Sequence, residues 1–398
     1  MIYLDNAATT FPKPLCMIRE MEECMMKYCG NPGRSGHNMS MKTGEKVYEA
    51  RKETADFFGI KDSSHVIFTY NATDGLNMAI KGVLKEGDHV ITTAMEHNSV
   101  LRPLKALESR GVNTTIVRCT RNGYVHPQMI EREIRENTKL IVCTHASNVT
   151  GSIQPASQIG RMARERDILF LLDGSQSAGS VPIDVEEMNI DMLALPGHKG
   201  LLGPLGTGVL YLRPGIEPVM LKEGGTGTNS RDLRQPAEFP EGFESGTVNA
   251  PGIIGLGESI RYVKKKGIDQ IRIHEENLVS RLEDHICNIN ELPGCRDRII
   301  MYGPRMSECR CDGNKLENVY GKTGIICLNI KDTDCEEVSE KLNQYGIAVR
   351  AGFHCAGIAH KTIGTVETGA VRFSVGPFNT MRQMDYTGEV LYRIARNC

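Results

Sequence analysis

The sequence has no dominant sign of charge. Its 47 basic residues stand against 49 acidic ones, a net charge of -2 over 398 residues. No basic stripe or acidic tail invites a nucleic acid or an anionic membrane surface, so neither partner is expected. No apolar run approaches the roughly 20 residues of a membrane-spanning helix. The opening stretch Met1-Ile2-Tyr3-Leu4-Asp5-Asn6 lacks a basic region followed by an apolar one, so no export signal is expected. Internal repeats and low-complexity tracts are missing as well. What remains is an ordinary globular composition, 40% hydrophobic and 24% charged, long enough for two packed domains.

Cysteine is not scarce. The 13 cysteines are scattered and odd in number, which suits free thiols in a reducing cytoplasm, the expected location. Cys309 and Cys311, with Cys295 nearby, fit no zinc spacing well. His354, Cys355 and His360 form a second candidate ligand cluster, but another role explains Cys355 better. No metal is expected.

Seven short apolar runs alternate with segments of helical period. They are residues 65–69, 89–92, 114–117, 139–143, 168–172, 192–195 and 208–212. This alternation predicts an α/β domain with a mostly parallel seven-stranded sheet buried on both faces. The character changes near Pro251. Helices are expected over 253–266, 271–288, 335–345 and 382–396, and strands over 298–302, 324–330, 347–350 and 371–374. The expected organisation is a large domain over residues 14–257. Residues 1–13 and 258–398 form a smaller α+β domain. The polar stretch 305–322 reads as a surface loop.

In open sheets of this kind, ligands bind beyond the carboxyl ends of the strands. Several polar groups fall there. Lys199 follows Met192-Leu193-Ala194 within Gly197-His198-Lys199-Gly200, where burial would lower its pKa as Schiff-base chemistry requires. Asp173 ends Leu171-Leu172-Asp173. A lysine and an aspartate so placed suit pyridoxal phosphate, the first binding the aldehyde and the second the pyridinium nitrogen. Thr69-Tyr70-Asn71-Ala72-Thr73 leads into a helix whose first amides suit a phosphate. Asp74 would repel that phosphate unless it points away. His97 lies where an imidazole can stack on a pyridine ring and shuttle protons, a catalytic candidate with Lys199. Asn148 is placed to bond the ring's phenolic oxygen or a substrate carboxylate.

Nine segments in order resemble class V aminotransferase-fold pyridoxal phosphate enzymes, and within them the cysteine desulfurase and selenocysteine lyase relatives. They include Tyr3-Leu4-Asp5-Asn6-Ala7-Ala8-Thr9-Thr10, Glu96-His97-Asn98, Asp173-Gly174-Ser175-Gln176, Gly197-His198-Lys199, Glu244-Ser245-Gly246-Thr247 and Arg350-Ala351-Gly352-Phe353-His354-Cys355. The resemblance implies the type I fold of this enzyme class. It implies Lys199 on the aldehyde, Asp173 on the pyridinium, Gln176 on the phenolic oxygen and His97 against the ring. Ala72, Thr73 and His198 would hold the phosphate. Thr247 would reach the phosphate of a neighbouring subunit, which implies a homodimer with shared sites. Arg372 would clamp the substrate carboxylate in a pocket lined by Arg350. The family often has a hydroxyl residue where this chain has Pro196, so Ser175 or Ser177 is expected to compensate.

Cys355 narrows the reaction. A desulfurase needs a thiolate to take sulfur from L-cysteine, leaving a persulfide and releasing alanine. Arg350 and His354 are the candidate positive neighbours. The short loop from Cys355 to Arg372 resembles the group II desulfurases and implies a separate sulfur-acceptor protein. Alternatives on the same fold are selenocysteine lyase, another class V aminotransferase or a β-lyase. A P-loop reading of Tyr320-Gly321-Lys322-Thr323 is disfavoured, because Leu316 stands where the leading glycine belongs.

Overall fold

The structure is a computed structural model describing residues 1–33, 36–228, 231–309 and 321–397. The chain opens with β1 (Ile2–Tyr3), α1 (Leu15–Lys27) and α2 (Asn38–Phe57). An alternating region follows: β2 (Val66–Thr69), α3 (Ala72–Val83), β3 (His89–Thr93), α4 (Asn98–Glu108), β4 (Asn113–Val117) and α5 (Pro127–Glu131). It continues with β5 (Thr138–Thr144), α6 (Ala156–Glu165), β6 (Leu169–Asp173), β7 (Met192–Pro196) and β8 (Gly208–Leu212). Then come α7 (Ala250–Lys266), α8 (Ile268–Glu291), β9 (Ile299–Tyr302), β10 (Ile325–Ile330) and α9 (Cys335–Gln344). The last elements are β11 (Ile347–Ala348), β12 (Arg350–Gly352), α10 (Gly357–Ile363), β13 (Ala370–Ser374) and α11 (Met381–Asn397).

All seven expected runs form one sheet, in the order β2-β8-β7-β6-β5-β3-β4. Only β8 runs against its neighbours. Alternate side chains enter opposite layers, as the strand period of two requires. Ile141, Cys143, Phe170 and Leu172 pack with α6 and α7, whereas Leu140, Val142 and Leu171 pack with α3 and α4. Burial on both faces explains the uninterrupted apolar runs. β4 is one of the two edge strands, and its half-exposed Thr114 and Thr115 match that place.

A four-stranded antiparallel sheet, β12-β13-β10-β9, forms the C-terminal part. Beside it, β1 pairs in parallel with β11, which ties residues 2–3 to residues 347–348. Helix α7 packs on α1 and α2. The boundary expected between residues 257 and 258 therefore lies inside a continuous helix.

The stretch expected as a surface loop is only partly described. Lys322 is buried in it, donating to Glu283 Oε1 at 2.5 Å and to Pro304 O at 2.8 Å. That corrects the surface expectation at Lys322 and leaves this amine no phosphate to hold. Tyr320, Leu316 and Cys311 lie outside the described residues. No group of three or more histidine, cysteine or acidic side chains among the described residues is arranged to hold a metal.

Candidate active site

Most residues singled out in the sequence gather beyond the carboxyl ends of the large sheet's central strands. β6 ends on Asp173 and β7 on Pro196, and the two strands run parallel with Asp173 opposite Ala194. Lys199 follows in the next turn. Two glycines fix this turn against the segment after Asp173. A Cβ on Gly179 would lie 2.2 Å from Gly200 O, and one on Gly200 2.3 Å from Ala178 O. Only glycine allows the two backbones to approach so closely. A single pocket brings Ala72, Thr73, His97, Asn148, Asp173, Gln176, His198 and Lys199 together, with Ser99, Thr144, Ser175 and Pro196 in the same wall.

Burial drives the Lys199 amine down to about 8, against the pull of Asp173, and Arg372 and Arg350 push it further down. Asp173 is buried and accepts the Ser175 amide at 3.0 Å. His97 caps α4, its Nδ1 accepting the Ser99 amide at 3.0 Å, so its proton belongs on Nε2. Burial brings His97 to about 4, which leaves the ring neutral near pH 7. The Ser99 hydroxyl lies 2.9 Å from His97 Nδ1 and 2.7 Å from Thr73 Oγ1, linking ring wall and helix start.

At the start of α3, Asn71 Oδ1 takes the Asp74 amide at 2.9 Å. The earlier amides have no acceptor within the helix. The Asp74 carboxylate has partners of its own, accepting the Tyr70 amide at 3.3 Å and lying 3.7 Å from Lys222 Nζ. Both contacts offset the charge that the sequence placed beside this helix start. His198 Nδ1 is buried without a partner. Burial, with Lys199 and Lys13 adding to it, lowers this imidazole to about 4.

The C-terminal part supplies the other side of the site. Arg372 on β13 stands opposite Arg350 on β12 and is 1% exposed. It donates to Asp5 Oδ1 and to Asn148 O, both at 2.9 Å, and keeps its Nε without a partner. Cys355 is exposed, with Arg350 Nη2 3.9 Å from its sulfur. Two bonds pin its loop beside the pocket: Asn98 N to Cys355 O at 2.8 Å and Asn148 Nδ2 to His354 O at 2.6 Å. His354 and Cys355 both have left-handed backbone, with φ of 49° and 56°. For non-glycine residues this costs roughly 1–3 kcal/mol each.

This sequence matches the model of the class-V aminotransferase family over residues 2–387. The chain belongs to the class-V aminotransferase family. It is 36% identical to a probable cysteine desulfurase of Methanothermobacter thermautotrophicus, across 99% of this chain and 94% of that one. It is 32% identical to a probable cysteine desulfurase of Pyrococcus abyssi, across 100% and 95%. Among solved structures, the apo cysteine desulfurase of Thermococcus onnurineus NA1 superposes with a TM-score of 0.89 at 29% identity, covering 100% of this chain and 95% of that one.

His354 is no positive neighbour for Cys355, because burial and Arg372 lower it to about 3 and leave it neutral. Ser177 is not free to compensate for Pro196, since its hydroxyl is buried against His145 Nδ1 at 2.9 Å, whereas Ser175 does line the pocket. Thr247 is exposed and lies outside this chain's own pocket wall. Its segment is anchored by Glu244, which pairs with Arg51 at 2.7 and 2.8 Å and accepts the Phe68 amide at 2.6 Å. Gln176 lines the pocket while donating to Ala7 O at 3.0 Å. Sequence reasoning assigns no role to Asp5 or Ser99. Their signals are the Leu4-Asp5-Asn6 and His97-Asn98-Ser99 segments, which name the residues without naming their partners.

Proposed function

We propose that the chain is a pyridoxal phosphate-dependent cysteine desulfurase. The observation that carries this reading is one site with two halves. A lysine lowered to about 8 lies within electrostatic reach of Arg372, Arg350 and the Cys355 thiol. The cofactor fits the donor set: an amine for its aldehyde, the buried Asp173 for its ring nitrogen, and for its phosphate the first turn of α3, Thr73 and the unpartnered Nδ1 of His198. Gln176 and Asn148 line the same wall and would serve the phenolic oxygen, and His97, also in that wall, would face the ring.

When bound, pyridoxal phosphate supplies the electron sink that lets bonds at Cα and Cβ break. The chain does the rest. Arg372, held by Asp5 and Asn148 O, takes the substrate carboxylate. Lys199 moves the proton at Cα, and its lowered pKa suits that exchange near neutral pH. Cys355, beside the guanidinium of Arg350, takes the substrate sulfur. The Cβ–Sγ bond breaks, an S–S bond forms on Cys355, and a proton completes the methyl group of alanine. The exposed thiol then hands its sulfur to an acceptor protein.

Thr247, exposed outside its own pocket, fits a contact to the phosphate site of a second copy, so the working unit is a homodimer. A reducing cytoplasm agrees with the described cysteines, which are all free. No helix among the described residues is long and apolar enough to cross a membrane.

Mass spectrometry of Cys355 after anaerobic treatment with L-cysteine tests the function. A gain of one sulfur on that residue, with alanine released, is the expected result. Full L-cysteine turnover by Cys355→Ala would remove the basis for it.

A further inference from the structure

Two buried histidines flank Cys355, His354 just before it in the same loop and His360 after it on α10, and the chemistry above uses neither side chain. His354 and His360 are 3% and 0% exposed. His354 Nδ1 is 3.1 Å from His360 Nε2. The contact continues on both sides: His354 Nε2 lies 3.2 Å from Arg350 O, and His360 Nδ1 lies 2.8 Å from Thr365 Oγ1. A carbonyl only accepts, so the His354 proton sits on Nε2. Its Nδ1 is then a bare acceptor. His360 must donate from Nε2 and accept the Thr365 hydroxyl at Nδ1. One set of tautomers satisfies the whole row, and both rings in it are neutral.

Their surroundings keep them so. Burial above all, then the charge of Arg372 and, less, that of Arg350, opposes a second proton on His354, and burial lowers His360 to about 4. A proton added to His354 Nδ1 would set one N–H against another in a dry interior.

The backbone above this row is the left-handed pair His354-Cys355. Such strain persists only where the surroundings over-determine it. Asn148 and Asn98 hold the two carbonyls. The His354 ring is a third tether, and its partner comes from α10, away from the pocket wall.

We propose that His360, fixed in one tautomer by Thr365, is a positioning residue for Cys355. By gripping the His354 ring it keeps the thiol's loop in its strained conformation beside Arg350. This rests on Cys355 being the sulfur-accepting thiol.

The experiment uses the pyridoxal phosphate-loaded enzyme. His360→Leu removes the donor to His354; His360→Gln keeps an N–H donor of similar reach without a ring. We expect persulfide formation on Cys355 to slow about tenfold or more in His360→Leu, while the half-saturating L-cysteine concentration stays unchanged. His360→Gln should remain within about threefold of the unmodified enzyme. Exchange of the Asn98 amide, which bonds Cys355 O, should quicken in His360→Leu and not in His360→Gln. This second readout does not depend on sulfur chemistry. If the unmodified enzyme formed no persulfide, the desulfurase reading would fail and Asn98 exchange alone would decide the positioning role. Should His360→Leu not fold, Thr365→Val keeps the shape, frees the tautomer and takes the same two measurements. Unchanged rate and exchange in these variants would overturn the proposal, as would a Gln variant as slow as the Leu variant.

Discussion

Lys199 carries an amine that loses its proton near pH 8 because its surroundings are dry. Burial opposes its charge, and Asp173 only partly restores it. The neutral amine therefore grows about tenfold per pH unit below 8 and levels off above it. Capture of pyridoxal phosphate by the cofactor-free protein should accelerate in that way. Stopped-flow absorbance would measure it, and a flat profile from about pH 7 to 9 would contradict the assigned burial. Glu96 shows the opposite sign. It is fully buried, one oxygen has no partner, and burial raises its carboxyl to about 8. The folded state keeps its proton where the unfolded chain has released it, so its contribution to stability falls as pH rises from about 4.5 to about 8. Glu96→Gln should flatten that decline, read as a smaller drop in melting temperature between the two ends. Arg372→Lys keeps the charge but loses the fork, and should raise the KM for L-cysteine about tenfold. At this scale Lys199 and Asp173 are legible because strand ends and glycine-rich turns are local patterns. Asp5 is not legible, because its value comes from a partner 367 positions away.

The elements explain why the site forms where it does. Strands buried on both faces must be apolar along their whole length, so their polar groups collect at the ends. That is why seven runs were readable as seven strands of one sheet. Helix α2 is harder to read. Its buried side includes Ser40, Thr43, Ala50, Thr54 and Ala55, small or polar residues that blur the apolar period. Helix α10 has only 7 residues and ends at Gly364 with φ of 83°, too short to show a period at all. At the start of α3, Asn71 is the cap on which the phosphate wall depends. Asn71→Ala should cost about 1 kcal/mol of stability. It should also weaken cofactor binding several-fold, by roughly the same free energy. Thermal melting and a spectroscopic titration with pyridoxal phosphate would measure the two effects, and an unaltered affinity would disconnect the cap from the phosphate wall.

On the scale of the molecule, distant segments meet at one site. β1 pairs with β11, and Asp5 holds Arg372 across the same seam. Local patterns carry no trace of such a meeting; only the folded chain specifies it. Removing residues 1–5 should lower the melting temperature and raise the KM for L-cysteine at least about tenfold. The large sheet keeps its strands, so bound cofactor should still be visible by its absorbance. Loss of both together would mean that β1 supports the whole fold rather than the carboxylate clamp. The seam also imposes an order on synthesis. A ribosome makes Asp5 and the Lys199 pocket early, and Cys355 and Arg372 late. A half-made chain would have an amine for the cofactor but no grip on an amino acid and no thiol to receive sulfur. On the proposed chemistry, reactive sulfur would be withheld until translation has passed β13.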